Sequence, residues 1–353
     1  MAKAVTRILM AASGTGGHLF PALAVAEKLT DCEIEWLGVR DRLETDLVPN
    51  QYRRHAVTAK GLQGNPLQKL VNGLQLLASI FQTYKILGDR QIDLVFTTGG
   101  YIAAPAILAA RLRRIPVILH ESNVLPGKVT RLLGQYATAV IMGFQESAQY
   151  LPKAKTIHLG TPVRAEFLTP QPLELDIPGD RPLILAMGGS QGAVGINQLV
   201  RQCAGRWLEA GASIVHITGK NDPDVGQFQA ENYLTLPFVE NIAPLLQRAD
   251  VVISRSGASA LTELTITKTP AILIPYPYAA EDHQTLNAQV FAKHEAALLA
   301  PQAELTPESL TAMVLGLLEA PGKREAIAAN VAALGMPESA EKIAYFLRTT
   351  LRL

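Results

Sequence analysis

The sequence predicts an α/β protein with two Rossmann-like, doubly wound parallel-sheet domains and a cleft between them. At 353 residues the chain is too long for one ordinary core and fits two domains of about 100–200 residues each. Short apolar runs of strand length alternate with stretches of helical periodicity from end to end, which is the pattern of a parallel sheet. A strand, glycine-rich turn and helix near the N-terminus has a counterpart beginning at residue 183, so the theme starts twice.

Residues 7–12 form an apolar strand running into Ser13-Gly14-Thr15-Gly16-Gly17-His18, and residues 20–29 then repeat at helical spacing with Pro21 tolerated in the first turn. Clustered glycines let backbone N–H groups approach a ligand that side chains would exclude, and the helix dipole adds positive potential there. Leu19 stands where a dinucleotide fingerprint needs its third glycine, and no Walker lysine follows. His18 at the mouth of this loop has two open readings: an imidazole that takes a proton from a hydroxyl, or a structural cap of the turn. Residues 33–37 and 55–59 read as the next strands, with a helical segment at 41–49 between them and a glycine-containing loop at 60–64 after them.

Between residues 66 and 87, Leu67, Leu70, Leu74, Leu77, Ile80 and Phe81 recur at helical spacing, widened by Leu76 and Tyr84. The stripe is broad enough to leave two readings. It packs on the core, or Leu70, Leu74, Leu77, Ile80 and Phe81 rest on a membrane whose anionic headgroups attract Arg111, Arg113 and Arg114. A strand at 93–97 ends in Thr98-Gly99-Gly100-Tyr101, and one at 117–120 ends in Glu121-Ser122-Asn123. Asn123 suits a sugar hydroxyl or, equally, an Asx-turn. After a strand at 140–142 the first half closes with Gly160-Thr161-Pro162-Val163-Arg164, and the Pro-rich stretch at 169–182 separates the halves.

The second half opens with a strand at 183–187 and Gly188-Gly189-Ser190-Gln191-Gly192, followed by strands at 213–218 and 233–237. Asp222-Pro223-Asp224 imitates a metal-holding pair of carboxylates, but the proline between them marks an ordinary turn, so no metal is expected. A strand at 251–254 breaks at Ser256-Gly257 where a helix starts, and unpaired N–H groups of such a first turn suit an anion or a sugar hydroxyl. Glu263, about two turns in, can accept two hydrogen bonds from a ribose diol or stand as an exposed helix glutamate. A strand at 271–275 leads to Glu281-Asp282-His283-Gln284, at the strand end where open α/β sheets bind ligands. Residues 320–353 are mostly helical, broken at Gly335-Met336-Pro337, with a last helix that returns to the first domain.

Net charge +1 provides no global attraction for nucleic acid. No uninterrupted apolar run of membrane-spanning length occurs, although mean hydropathy is +0.16. The N-terminus lacks a secretory signal pattern, which predicts a cytoplasmic location, and the two cysteines, Cys32 and Cys203, match no zinc spacing.

Taken together, GTGGH (14–18), TGGY (98–101), HESN (120–123), GTPVR (160–164), GGSQG (188–192), SRSGA (254–258) and DHQ with NA (282–288) resemble the MurG-type glycosyltransferases of peptidoglycan synthesis, in that family's order over almost the whole chain. The resemblance implies a GT-B fold. It assigns residues 1–163 with a returning helix at 337–353 to a membrane-facing acceptor domain, and 164–336 to a UDP-GlcNAc domain. It implies inverting, metal-independent transfer of GlcNAc from UDP-GlcNAc to the C4 hydroxyl of MurNAc in undecaprenyl-linked lipid I, with no cofactor. By the same resemblance Thr15, Gly16 and Gly17 line the diphosphate and acceptor side, Asn123 contacts GlcNAc, and Arg164 and Ser190 meet phosphates. Val239 places its backbone on uracil, Ala258, Ser259 and Ala260 present the helix start to the donor, Glu263 holds the ribose, Gln284 holds GlcNAc hydroxyls, and His18 is the candidate base. The implied location is the cytoplasmic face of the plasma membrane, on anionic lipid, with cell-wall and division proteins as candidate partners. Ser13, Ala103, Ser122 and Thr161 depart from the family's glycine, serine, glutamine and asparagine, which bears on fine acceptor contacts. Rival expectations are another GT-B enzyme, such as a UDP-GlcNAc 2-epimerase or a glycolipid synthase, and a non-catalytic sugar-nucleotide sensor.

Overall fold

The computed structural model describes residues 5–14, 16–39, 47–58, 65–189 and 192–351. Thr15, Ser190, most of the segment expected as helix at 41–49, and the glycine loop at 60–64 lie outside the described residues. The chain divides into two compact units, Met1–Arg164 with Met336–Leu353, and Ala165–Gly335. Arg164 and Met336 thus fall in the first unit, one residue beyond each expected boundary.

Unit 1 runs β1 (Arg7–Ala11), α1 (Gly16–Glu27), β2 (Glu33–Val39), β3 (Arg53–Val57), α2 (Pro66–Asp89), β4 (Leu94–Thr97), α3 (Ala103–Arg113), β5 (Val117–Glu121), α4 (Lys128–Leu133), β6 (Ala139–Met142) and β7 (Thr156–His158). Its strands form a 7-stranded sheet in the order β3-β2-β1-β4-β5-β6-β7, with parallel pairing throughout. The order reverses between β1 and β4, where Ala11 pairs with Thr97, and a crevice opens beyond the carboxyl ends at such a point. Alternate side chains feed two cores. Ile8 and Met10 join Trp36 and Phe96 on one face, while Leu9 and Ala11 join Val95 and Leu119 on the other. Burial on both faces explains why these strands read as unbroken apolar runs.

Unit 2 runs β8 (Leu183–Met187), α5 (Val194–Glu209), β9 (Ser213–Ile217), β10 (Tyr233–Leu236), α6 (Ala243–Arg248), β11 (Val251–Ser254), α7 (Ala258–Thr267), β12 (Ala271–Leu273), α8 (His283–Lys293), β13 (Leu298–Leu299), α9 (Pro307–Leu318) and α10 (Pro321–Ala333). The order β10-β9-β8-β11-β12-β13 is again parallel and reverses between β8 and β11, where Met187 pairs with Ser254. The two glycine turns singled out in this half therefore end adjacent strands.

The last helix, α11 (Ser339–Thr350), belongs to unit 1. Ile343, Ala344 and Leu347 are buried in the core that also holds Leu19, Val25 and Leu29 of the α1 side. Arg348 grips Asp31 with Nε and Nη2 at 2.9 and 2.6 Å, and Lys28 meets Glu341 at 2.7 Å. The Arg348 guanidinium holds the Asp31 carboxyl below its ordinary range.

Candidate active site

In unit 1 the turn after β1 carries His18 into the first part of α1, facing the end of β4. His18 Nδ1 lies 2.6 Å from the Thr98 carbonyl oxygen, and Thr98 Oγ1 donates back to the His18 carbonyl at 2.8 Å. A carbonyl only accepts, so Nδ1 carries a proton, and in the neutral ring Nε2 is then the nitrogen with the lone pair. The two readings of His18 thus belong to different ring atoms: Nδ1 fastens the turn, and Nε2 is in the form a base requires. The imidazole lies over Gly99 and Gly100, where an added Cβ would stand 3.5 Å from the ring in ordinary contact, so it is their φ of +91° and +72° that suits glycine. Gly16 and Gly17 open α1 beside Phe20, and the Arg164 guanidinium stacks 4.5 Å above the Phe20 ring. Gly16, Gly17, His18 and Arg164 are therefore gathered at one end of α1.

Two groups that the sequence reading passed over organise this end of the sheet. The buried Glu121 carboxylate accepts from Asn123 N at 3.0 Å, Gly127 N at 3.0 Å and Thr130 Oγ1 at 2.8 Å, fixing the loop that presents Asn123. His120 is fully buried, and its Nε2 donates to the Gly160 carbonyl at 3.1 Å, tying the end of β5 to the segment that leads to Arg164. Burial depresses its pKa to about 4, only partly offset by that bond, so the ring is neutral. In sequence, an acid and a histidine closing an apolar strand were the available signal, since a charge there must find partners.

In unit 2, Gly257 caps α7 without a side-chain hydrogen bond, so the N–H groups of Ala258, Ser259 and Ala260 have no partner within the helix. Glu263 follows on the same helix, half-buried. Gln284 sits in the first turn of α8, held to this turn because Ser256 Oγ donates to its carbonyl at 2.8 Å and Asn287 Nδ2 donates to the Ser256 carbonyl at 3.1 Å. Its side-chain oxygen accepts from Tyr276 N at 2.9 Å, so the outward-acting group of this side chain is the amide NH₂, a donor. Val239 follows β10, half-buried, at the same carboxyl edge. Arg255, also passed over, is buried and donates to the carbonyls of Ile274 and Pro275 at 3.1 and 2.9 Å and to Gln302 Oε1 at 2.8 Å. It fixes the turn between β11 and α7 relative to the end of β12.

Asp222 and Asp224 are occupied by Arg201, at 2.7 and 3.4 Å, as paired turn carboxylates. Among the described residues no cluster of three or more metal-ligating side chains occurs. On α2, Leu70, Leu74, Leu77 and Phe81 are 60–69% exposed along one face, and Leu112, not singled out before, is 67% exposed. Two expected members of that patch do not belong to it. Ile80 packs against the core with Leu87 and Ile107, and Arg113 donates to the Tyr84 carbonyl with its guanidinium 3.9 Å over that ring. Arg111 and Arg114 are exposed.

The profile described as Glycosyltransferase family 28 N-terminal domain matches residues 8–142, and the one described as Glycosyltransferase family 28 C-terminal domain matches residues 183–343. The chain belongs to glycosyltransferase family 28. Within the family 28 N-terminal match lie Gly16, Gly17, His18 and Asn123; within the C-terminal match lie Val239, Ala258, Ser259, Ala260, Glu263 and Gln284; Arg164 falls between the two. The UDP-N-acetylglucosamine--N-acetylmuramyl-(pentapeptide) pyrophosphoryl-undecaprenol N-acetylglucosamine transferase of Gloeothece citriformis is 57% identical over 349 residues, 99% of this chain and 97% of that one. The crystal structure of Acinetobacter baumannii MurG matches with a TM-score of 0.78 at 29% identity, covering 98% and 99% of the two chains. The UDP-GlcNAc 2-epimerase of Neisseria meningitidis matches with a TM-score of 0.69 at 16% identity over 98% and 100%, a likeness of fold alone.

Proposed function

We infer that this family 28 chain transfers GlcNAc from UDP-GlcNAc to lipid I, forming lipid II and UDP in peptidoglycan synthesis. The observation that carries this is full-length identity of 57% to the G. citriformis transferase of that name. In the proposed mechanism the C4 hydroxyl of MurNAc gives its proton to His18 Nε2 and attacks the anomeric carbon from the face opposite the diphosphate. The carbon–oxygen bond to UDP breaks as the new β-1,4 bond forms, which inverts the configuration. Thr98 supports this role by holding the ring in the accepting tautomer. The departing diphosphate is stabilised by the Arg164 guanidinium and by backbone N–H groups at the starts of α5 and α7, without a metal ion. Glu263 takes the ribose hydroxyls, Val239 the uracil, and Gln284 and Asn123 the GlcNAc; Thr15, Gly16, Gly17 and Ser190 complete the contacts.

No described helix is long and apolar enough to cross a membrane. The exposed face of α2 with Leu112, Arg111 and Arg114 supports peripheral attachment to the anionic cytoplasmic face of the plasma membrane, where the lipid acceptor resides. Incubation with lipid I and UDP-GlcNAc, with the lipid product resolved chromatographically, tests the function. Lipid II and stoichiometric UDP are expected, unchanged by EDTA. Conversion of UDP-GlcNAc to its C2 epimer without disaccharide would assign the chain to epimerase chemistry, and binding without turnover would make it a sensor.

A further inference from the structure

The transfer proposed above leaves a diphosphate to be neutralised, and within unit 2 two nearby guanidiniums are already committed. Arg201 is held by Asp222 and Asp224, and Arg255 by the oxygens of Ile274, Pro275 and Gln302. Lys220 differs from both. Its side chain is exposed, and among the described residues its ammonium has neither a hydrogen bond nor an ion pair, resting only 5.5 Å from the centre of the Phe238 ring.

The backbone places this lysine against the donor turn. β9 pairs with β8 so that Ile217 lies opposite Met187, and the two strands end level. Gly192, the last residue of the turn after β8, is packed so closely on the next segment that an added Cβ would stand 2.4 Å from the Thr218 carbonyl oxygen and 3.0 Å from Gly219 Cα. Lys220 is the following residue. Its other neighbour, Phe238, immediately precedes Val239, the residue proposed to meet uracil. The side chain therefore spans from the turn that opens α5 to the segment assigned to the base, which is the path a nucleoside diphosphate takes.

We propose that Lys220 is a further donor-binding residue, whose ammonium leaves the Phe238 ring to contact the diphosphate of UDP-GlcNAc and of the departing UDP. An exposed cation–π contact is weaker than a charge-assisted hydrogen bond to phosphate, so the exchange is favourable, and a flexible four-carbon stem permits it. The inference rests on the transferase reading of unit 2.

Equilibrium binding of UDP and of uridine to the full chain, measured at low and high salt, tests it. Lys220→Ala is expected to weaken UDP binding roughly tenfold at low salt, to leave uridine affinity unchanged and to flatten the salt dependence, with Lys220→Arg recovering most of the loss. Equal UDP affinity in Lys220→Ala overturns the proposal while the transferase reading stands. Equal losses for UDP and uridine also overturn it, because the lysine would then support the base segment. A wild-type chain that does not bind UDP removes the donor site itself, and the proposal with it.

Discussion

His18 illustrates how one side chain is fixed by an atom far away in sequence. The glycine loop made it a candidate, but its tautomer depends on the Thr98 carbonyl, 80 residues on, which no local pattern connects to it. The assignment leads to a sharp expectation. His18→Gln should cut turnover by roughly 10²–10⁴-fold while UDP-GlcNAc affinity, measured by calorimetry, stays near that of the wild type. Unchanged turnover would leave the histidine only its fastening role. Arg255 was not legible for the same reason. An arginine in a turn looks solvated, and only the tertiary structure delivers Ile274, Pro275 and Gln302 to it. Glu121 differs, because Asn123, Gly127 and Thr130 all follow it closely in the chain, and what the sequence withheld was only the turn that folds them back onto the carboxylate. Glycine turns are local, so the helix starts at Gly16, Gly17 and Ala258 could be placed from sequence; a charge completed by distant chain, as Arg255 is, could not.

At the scale of elements, α2 holds both readings of its broad stripe at once. Ile80, Tyr84 and Ile86 pack inward, while Leu70, Leu74, Leu77 and Phe81, spaced by three or four residues, face out. The helix is anchored independently of that outer face by a capping box between Asn65 and Gln68 and by Arg113 at its other end. Leu74→Glu with Phe81→Glu should therefore lower sedimentation with anionic vesicles by at least about tenfold and leave turnover on a water-soluble acceptor analogue unaltered. Vesicle binding equal to the wild type would return the face to ordinary surface. Apolar strand runs were readable where the inner strands are buried on both faces, yet β7 and β13 escaped. They span only Thr156–His158 and Leu298–Leu299, too short for any period to register.

Across the whole molecule, each unit carries one fully buried neutral histidine, and that gives a property neither site alone reveals. His120 in unit 1 donates to Gly160, and His216 in unit 2 lies between Tyr233 Oη at 2.7 Å and Asn197 Oδ1 at 3.1 Å. Burial is the leading cause that holds both pKa values down to about 4, from an ordinary 6.5. Above the ordinary value both folded and unfolded chains carry neutral rings, so the contribution to stability is full. As pH falls from about 6.5 toward 4, the unfolded chain takes up protons that the folded chain refuses, and stability declines by about 3 kcal/mol per histidine over the whole interval. The carboxylates held below their ordinary range, Asp31 by Arg348 and Asp222 chiefly by Arg201 against the opposing effect of burial, lose their contribution only at lower pH, so the two windows separate. Denaturant unfolding followed from pH 8 to pH 5 should show midpoints level above pH 7 and falling below it. His120→Gln and His216→Gln should each remove roughly half of the fall, whatever their effect on the plateau. A wild-type midpoint that stays flat between pH 7 and pH 5 would mean that both rings accept a proton within the fold, and that the links from β5 to Gly160 and from β9 to α5 survive a charge in the core.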